Sequence, residues 1–123
     1  MTDQRPPVWT GHLVLHGRDT ERAATFYEGI GMRRIALMRP FAVMELRGGT
    51  HLVVRLDPEA EGGDAPFDLM VEDLDATYAD YQAKGFPVSE IGKDERGLHR
   101  LFTVTDPDGN RIVVNDSHVE GVV

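Results

Sequence analysis

HLVLHGRDTERAATFYEGIGM, residues 12–32, and PFDLMVEDLDATYADYQAKGF, residues 66–86, align without a gap at an offset of 54. Leu15 meets Leu69, Asp19 meets Asp73, Tyr27 meets Tyr81 and Gly31 meets Gly85. A second match, at an offset of 60, lays GGTHLVV from Gly48 onto DGNRIVV from Asp108 and pairs Gly49 with Gly109, Leu52 with Ile112, Val53 with Val113 and Val54 with Val114. The two halves therefore begin and end alike, which is the mark of an internally repeated architecture.

Local signals give each half the same order of elements. Leu13, Leu15 and Gly17 alternate with His12, Val14 and His16, so residues 12–17 read as a half-buried strand. Asp19 supplies an N-cap carboxylate for a helix running to about Glu28, with Ala23, Phe26, Tyr27 and Ile30 on one face. Residues 34–38, 42–47 and 51–56 are strand-like, the last two joined by a turn at Arg47-Gly48-Gly49-Thr50. The second copy reads as strand 67–71, an Asp73-capped helix to about Lys84, strands 87–91 and 99–105, a turn over 106–110 and strand 111–116. Each half is thus βαβββ. Module 10–57 and module 66–117 form one domain, with the Pro-, Gly- and acid-rich stretch 58–65 as linker. Phe26, Tyr27, Tyr78 and Tyr81 stand at helical spacing and are read as core.

Length and composition agree with one soluble domain. The chain has 123 residues, 41% hydrophobic and 28% charged, with no apolar run long enough for a membrane span. The opening MTDQRPPVW lacks the pattern of a secretory signal, so a cytoplasmic location is expected. Zero cysteine removes disulfides, thiolate metal sites and cysteine nucleophiles. Thirteen Lys and Arg against 21 Asp and Glu give a formal charge of −8, which opposes binding to a nucleic-acid backbone and suits a neutral or cationic small ligand.

Gly11-His12 opening the first strand, RDTERAATFYEGIGM (Arg18 to Met32), VEDLDATYADYQAKG (Val71 to Gly85) and TDPDGNRIVV (Thr105 to Val114) together resemble the vicinal oxygen chelate superfamily. That superfamily includes glyoxalase I, extradiol dioxygenases, fosfomycin resistance transferases, methylmalonyl-CoA epimerase and bleomycin-binding resistance proteins. The resemblance covers residues 10–116. It implies an α+β fold in which tandem βαβββ modules form a curved, cupped mixed sheet, and it leaves the reaction open. Metal-dependent members hold a divalent ion with four ligands, usually His, Glu, His and Glu. Carried over residue by residue, these positions fall on His12, Val53, Pro66 and Val113. Three of the four have no donor, so the resemblance implies neither the usual metal centre nor any other cofactor. A divalent metal at His12 stays as the alternative.

Strand parity names the residues that face the cup. With His12 go Val14 and His16; with Val53 go His51 and Arg55; with the register of Pro66 go Asp68 and Met70; with Val113 go Arg111 and Asn115; and Thr103 joins from the seventh strand. The ligand-binding set is therefore His12, Val14, His16, His51, Val53, Arg55, Asp68, Met70, Thr103, Val113 and Asn115, a mixture of apolar surface and a few polar groups that suits a small-molecule pocket. A carboxylate among apolar neighbours needs a partner, and Arg55, His12 or a cationic ligand would serve Asp68. His99 and His118 read as surface.

Three functions follow as expectations. The first is sequestration of a small molecule, as in metal-free resistance proteins of the family. The second is an enzyme of lyase, isomerase or dioxygenase type using His12, His51 and Asp68 for proton transfer, with or without a divalent metal. The third is a dimerising module without a site. Exposed sheet edges, and the pairing common in the family, make a homodimer the expected state.

Overall fold

The computed structural model describes residues 3–122. Strand β1 (His12–Gly17) leads into helix α1 (Thr20–Gly29), followed by β2 (Arg33–Met38), β3 (Phe41–Glu45) and β4 (His51–Leu56). The second set is β5 (Gly63–Val71), α2 (Leu74–Ala83), β6 (Gly92–Lys93), β7 (Arg100–Thr105) and β8 (Asn110–Asp116). Two four-stranded sheets result, ordered β1-β4-β3-β2 and β5-β8-β7-β6. In each, the strand before the helix runs parallel to the last strand while the other pairs are antiparallel, so both sheets are mixed and the class is α+β.

The repeat seen in the sequence reappears as hydrogen-bond register. Val14 pairs with Val53, Leu15 with Val54 and His16 with Arg55 in the first sheet. Asp68 pairs with Val113, Leu69 with Val114 and Met70 with Asn115 in the second. Shifting the first set by 54 on one strand and 60 on the other produces the second set.

Both helices start where a side-chain acceptor meets free backbone N–H groups. Asp19 accepts from Arg22 N at 3.0 Å, and Asp73 accepts from Ala76 N at 2.9 Å. Thr20, Ala23, Ala24 and Tyr27 then repeat at helical spacing and bury one face of α1. Leu15, Ala42, Met44, Leu52 and Val54 of the first sheet and Phe102, Val104, Ile112 and Val114 of the second join both helices in one core. Tyr81 caps the contact between the halves by donating its hydroxyl to Ile30 O at 2.7 Å. Burial pushes that hydroxyl up to about 12, so it stays protonated and able to donate at neutral pH.

Three expected elements differ. Residues 87–91 are not a strand: Val88 makes an isolated bridge with Val104, and β6 has only two residues. Pro87 brings no N–H to a ladder, and the Ser89 hydroxyl takes the Thr103 N–H at 2.8 Å in place of a backbone carbonyl. Strand 42–47 is displaced to Phe41–Glu45, because Arg47–Gly49 form a 3₁₀ turn closed by Leu46 N to Thr50 O at 2.8 Å. Strand 67–71 reaches back to Gly63, into the stretch expected as linker. Pro66 is tolerated there because β5 is an edge strand and its register shifts between Asp64 and Asp68.

The Asp-Pro-Asp-Gly-Asn turn locks the halves together. Asp108, with its side chain fully buried, accepts from Arg18 N and from an Arg22 guanidinium nitrogen, both at 2.9 Å, and Asn110 donates to His16 O at 3.0 Å. The other Asp108 oxygen has no hydrogen-bond partner among the described residues and lies against Gly17, where an added Cβ would come within 2.7 Å of it. Gly17→Ala is therefore expected to cost about 1–3 kcal/mol, seen as a lower urea midpoint at unchanged slope. An unchanged midpoint would remove this reading of the contact.

Candidate functional site

Each sheet has one face under its helix and one face that no element of the described residues covers. On the uncovered face of the first sheet the register builds three cross-strand rows. His12, His51, Glu45 and Arg33 form one; Val14, Val53, Val43 and Ala36 form the next; His16, Arg55, Phe41 and Met38 form the third. An aliphatic band is thus bordered on both sides by imidazole and guanidinium groups. On the second sheet the corresponding rows are Asp64, Arg111 and Thr105; Asp68, Val113 and Thr103; and Met70, Asn115 and Leu101. The residues named by strand parity fall in these rows, with Asn115 among them buried.

The apolar part of the surface is open. Val14 is 40% and Met70 52% exposed, whereas Leu15 and Val114, one residue on in the chain or on the opposite face, are buried. A cleft of about 580 Å³ runs between β1 and the chain entering β5, lined in part by Val14, His16, Asp57, Glu59, Glu61, Asp64 and Pro66. Arg111 pairs with Asp64, and the remaining Asp57, Glu59 and Glu61 against one imidazole leave the cleft acidic, a setting that favours a positive guest. A second cleft, of about 490 Å³, lies by Arg18, Thr20, Met38, Arg39, Leu56 and Pro58 and contains none of the expected residues.

The polar groups form two separate networks. His12 and His51 lie edge to face, their ring centroids 5.9 Å apart. His51 Nε2 is 3.1 Å from a Glu45 carboxylate oxygen, and the other Glu45 oxygen receives the Arg33 guanidinium. The Arg33 hydrogen bond, seconded by His51, holds the Glu45 carboxyl below the usual glutamate range, so it is an anion at neutral pH. In the second sheet Asp68 accepts from Asn115 Nδ2 at 2.9 Å. The partner of Asp68 is thus the neighbouring amide, and neither Arg55 nor His12. His12 and His51 meet; Asp68 belongs to the other network, and the carboxylate beside His51 is Glu45, which strand parity alone did not single out. The signal for it was present: the turn at 47–50 closes a hairpin in which 45 stands opposite 51. His99 and His118, read as surface, lie with ring centroids 4.6 Å apart, and His99 is near Asp116.

The sequence profile of the Glyoxalase/Bleomycin resistance protein/Dioxygenase superfamily matches residues 9–114. This chain belongs to that superfamily. Among solved structures it is similar to a superfamily member from Sphaerobacter thermophilus, with 22% identity, a TM-score of 0.76 and coverage of 89% of this chain and 98% of that one. It is also similar to a lactoylglutathione lyase from Agrobacterium tumefaciens, with 19% identity, a TM-score of 0.74 and coverage of 96% and 100%. A bleomycin-binding protein complexed with bleomycin gives 20% identity, a TM-score of 0.70 and coverage of 95% and 100%. No curated protein sequence matches significantly. The fold is therefore that of the superfamily, and the fold is what these likenesses show.

Superfamily membership raises the question of a metal. The positions that the resemblance assigns as ligands hold His12, Val53, Pro66 and Val113, and valine and proline side chains offer no lone pair. Among the described residues no group of three or more His, Asp and Glu is arranged to hold an ion. The donor set does not fit the usual centre.

Proposed function

We propose that this superfamily member binds a small amphipathic molecule, neutral or cationic, on the uncovered sheet faces, without the family's usual metal centre, in the manner of a sequestering or resistance protein. The observation that carries this reading is the aliphatic row Val14, Val53, Val43 and Ala36, left open and bordered by polar rows. Such a surface takes an apolar body while its edges orient polar groups. The formal charge of −8 and the acidic cleft beside β1 favour a cation. A protein of the same fold that binds bleomycin supports a small-molecule ligand.

Calorimetric titration with bleomycin, other cationic glycopeptides and amphipathic amine drugs is the test. Binding heat for at least one class is expected, and Val53→Arg, which puts a cation into the aliphatic row, should weaken it at least tenfold, about 1.4 kcal/mol. No heat across the panel would overturn the proposal. Metal analysis of protein purified without chelators addresses the enzyme reading. Stoichiometric metal that is lost in His12→Ala would favour a metalloenzyme over sequestration.

The exposed apolar side chains on the open faces also support a homodimer, since Val14 and Met70 would gain from a second copy. Sedimentation at micromolar concentration should then show twice the 13.7 kDa chain mass. A single species at the chain mass would remove the dimer.

A further inference from the structure

The row His12–His51–Glu45–Arg33 does more than border an apolar surface, because its bonding fixes which nitrogen of His51 carries hydrogen. Glu45 is an ionised carboxylate and can only accept, and it lies 3.1 Å from His51 Nε2. Nε2 must therefore donate. In neutral His51 the lone pair is then on Nδ1, which has no hydrogen-bond partner among the described residues and is not among the buried unpartnered atoms. Arg33, bonded to the same Glu45, keeps that carboxylate from turning toward other donors. We infer that His51 is the hydrogen-bond acceptor for a ligand N–H on the open face, with Glu45 as its positioning residue, so that the surface selects protonated amines over quaternary ammonium ions. This rests on the open-face binding reading and names the ligand chemistry within it. The complementarity is direct: an alkylammonium donates to Nδ1, its charge is attracted by the Glu45 anion, and its alkyl part lies on the valine row two residues along each strand.

Two measurements test it. In the free protein, nitrogen-15 NMR of the histidine rings should show His51 with hydrogen on Nε2 and Nδ1 bare, and Glu45→Gln, whose amide can either donate or accept, should mix or invert the tautomers, while Glu45→Asp should retain part of the bias. Hydrogen on Nδ1 in the wild type, or a tautomer indifferent to Glu45→Gln, would overturn the positioning role. A purely structural role for Glu45 has no reason to move this signature. In calorimetry, octylammonium and octyltrimethylammonium share chain and charge, and only the first has an N–H. The wild type should bind octylammonium about fivefold more tightly, the worth of one hydrogen bond, and His51→Phe should abolish the difference. Equal binding of both ions would overturn the acceptor role and leave the open-face reading standing. Binding of neither ion, with heat still seen for a glycopeptide, would overturn the amine selectivity alone, and silence toward every ligand would remove both readings.

Discussion

Asp106→Ala should destabilise the fold by about 3–5 kcal/mol, more than truncation of any other polar side chain in the turn. Asp106 is 4% exposed, yet its carboxylate is fully engaged. One oxygen accepts the backbone N–H groups of Asp108 and Asn110, at 2.9 and 2.8 Å. The other accepts the Tyr27 hydroxyl at 2.7 Å and Asn110 Nδ2 at 2.8 Å. Truncation strands the Tyr27 hydroxyl and the backbone N–H groups of Asp108 and Asn110 in the interior, while Asn110 Nδ2 keeps His16 O, and each unpaired group loses its hydration without recompense. Tyr27 is the long-range partner, reaching from the first half into the turn of the second. Burial, with the Asp106 charge next, pushes its hydroxyl far above the ordinary tyrosine range, so it remains a donor wherever the fold exists. Tyr27→Phe removes one donor and leaves the carboxylate its others, which sets its cost near about 1 kcal/mol. Urea unfolding of both variants and of the pair provides the check. The double variant should cost less than the two single costs added, because the bond can be lost only once. Strict additivity, or an Asp106→Ala loss under about 1 kcal/mol, would refute the clasp.

The contrast between Asp106 and His12 shows what the sequence could and could not disclose. The ladder was legible because strand parity and two constant offsets are one-dimensional properties: knowing that Val53 corresponds to Val113 is enough to put both on the same face of equivalent strands. The open-face residues of β1, β4, β5 and β8 follow from that. The burial of Asp106 and Asp108 does not, since Asp-Pro-Asp-Gly-Asn reads as a surface turn by its composition. Only the approach of α1 and the loop before it, bringing Tyr27, Arg18 and Arg22 from 79 to 90 positions away, turns it into an interior joint. Glu45 occupies the middle ground. It belongs to the strand with no counterpart in either matched segment, so the repeat was silent about it, while hairpin closure across the 47–50 turn would have put it opposite His51. Strand 87–91 failed for a different reason. The order of residue types in 87–91 does not show that a serine hydroxyl takes a ladder N–H in place of a backbone carbonyl.

Gly62→Ala should be as damaging as the loss of Asp106, through backbone rather than side chain. A Cβ at residue 62 would lie 2.4 Å from Gly109 C, 2.5 Å from Gly109 O and 2.6 Å from Asp108 O. These are main-chain atoms of the turn that carries Asp106 and Asp108, and they cannot rotate aside as the end of a flexible side chain would. Gly62 also has φ +78°, in the region that favours glycine. The two costs can be separated with Gly85→Ala, since Gly85 has φ +79° and an added methyl there would meet nothing within 4 Å. That control should lose about 1–2 kcal/mol from backbone strain alone. Gly62→Ala should lose at least about 4 kcal/mol, a large part of an ordinary domain's margin of about 5–15 kcal/mol. The consequence reaches the binding face, because Gly63 N donates to Gly109 O at 3.0 Å and Gly63 pairs with Asn110 at the start of the β5–β8 ladder. Forcing residue 62 away from the turn pulls the first rungs of that ladder apart, and with them Asp64 and Arg111 on the open face. Circular dichroism in urea should register the lost stability, and amide exchange should show opening at Gly63 and Asn110 before the rest of the second sheet. Equal midpoints for Gly62→Ala and Gly85→Ala would mean that the crossing of the two backbones carries none of this load.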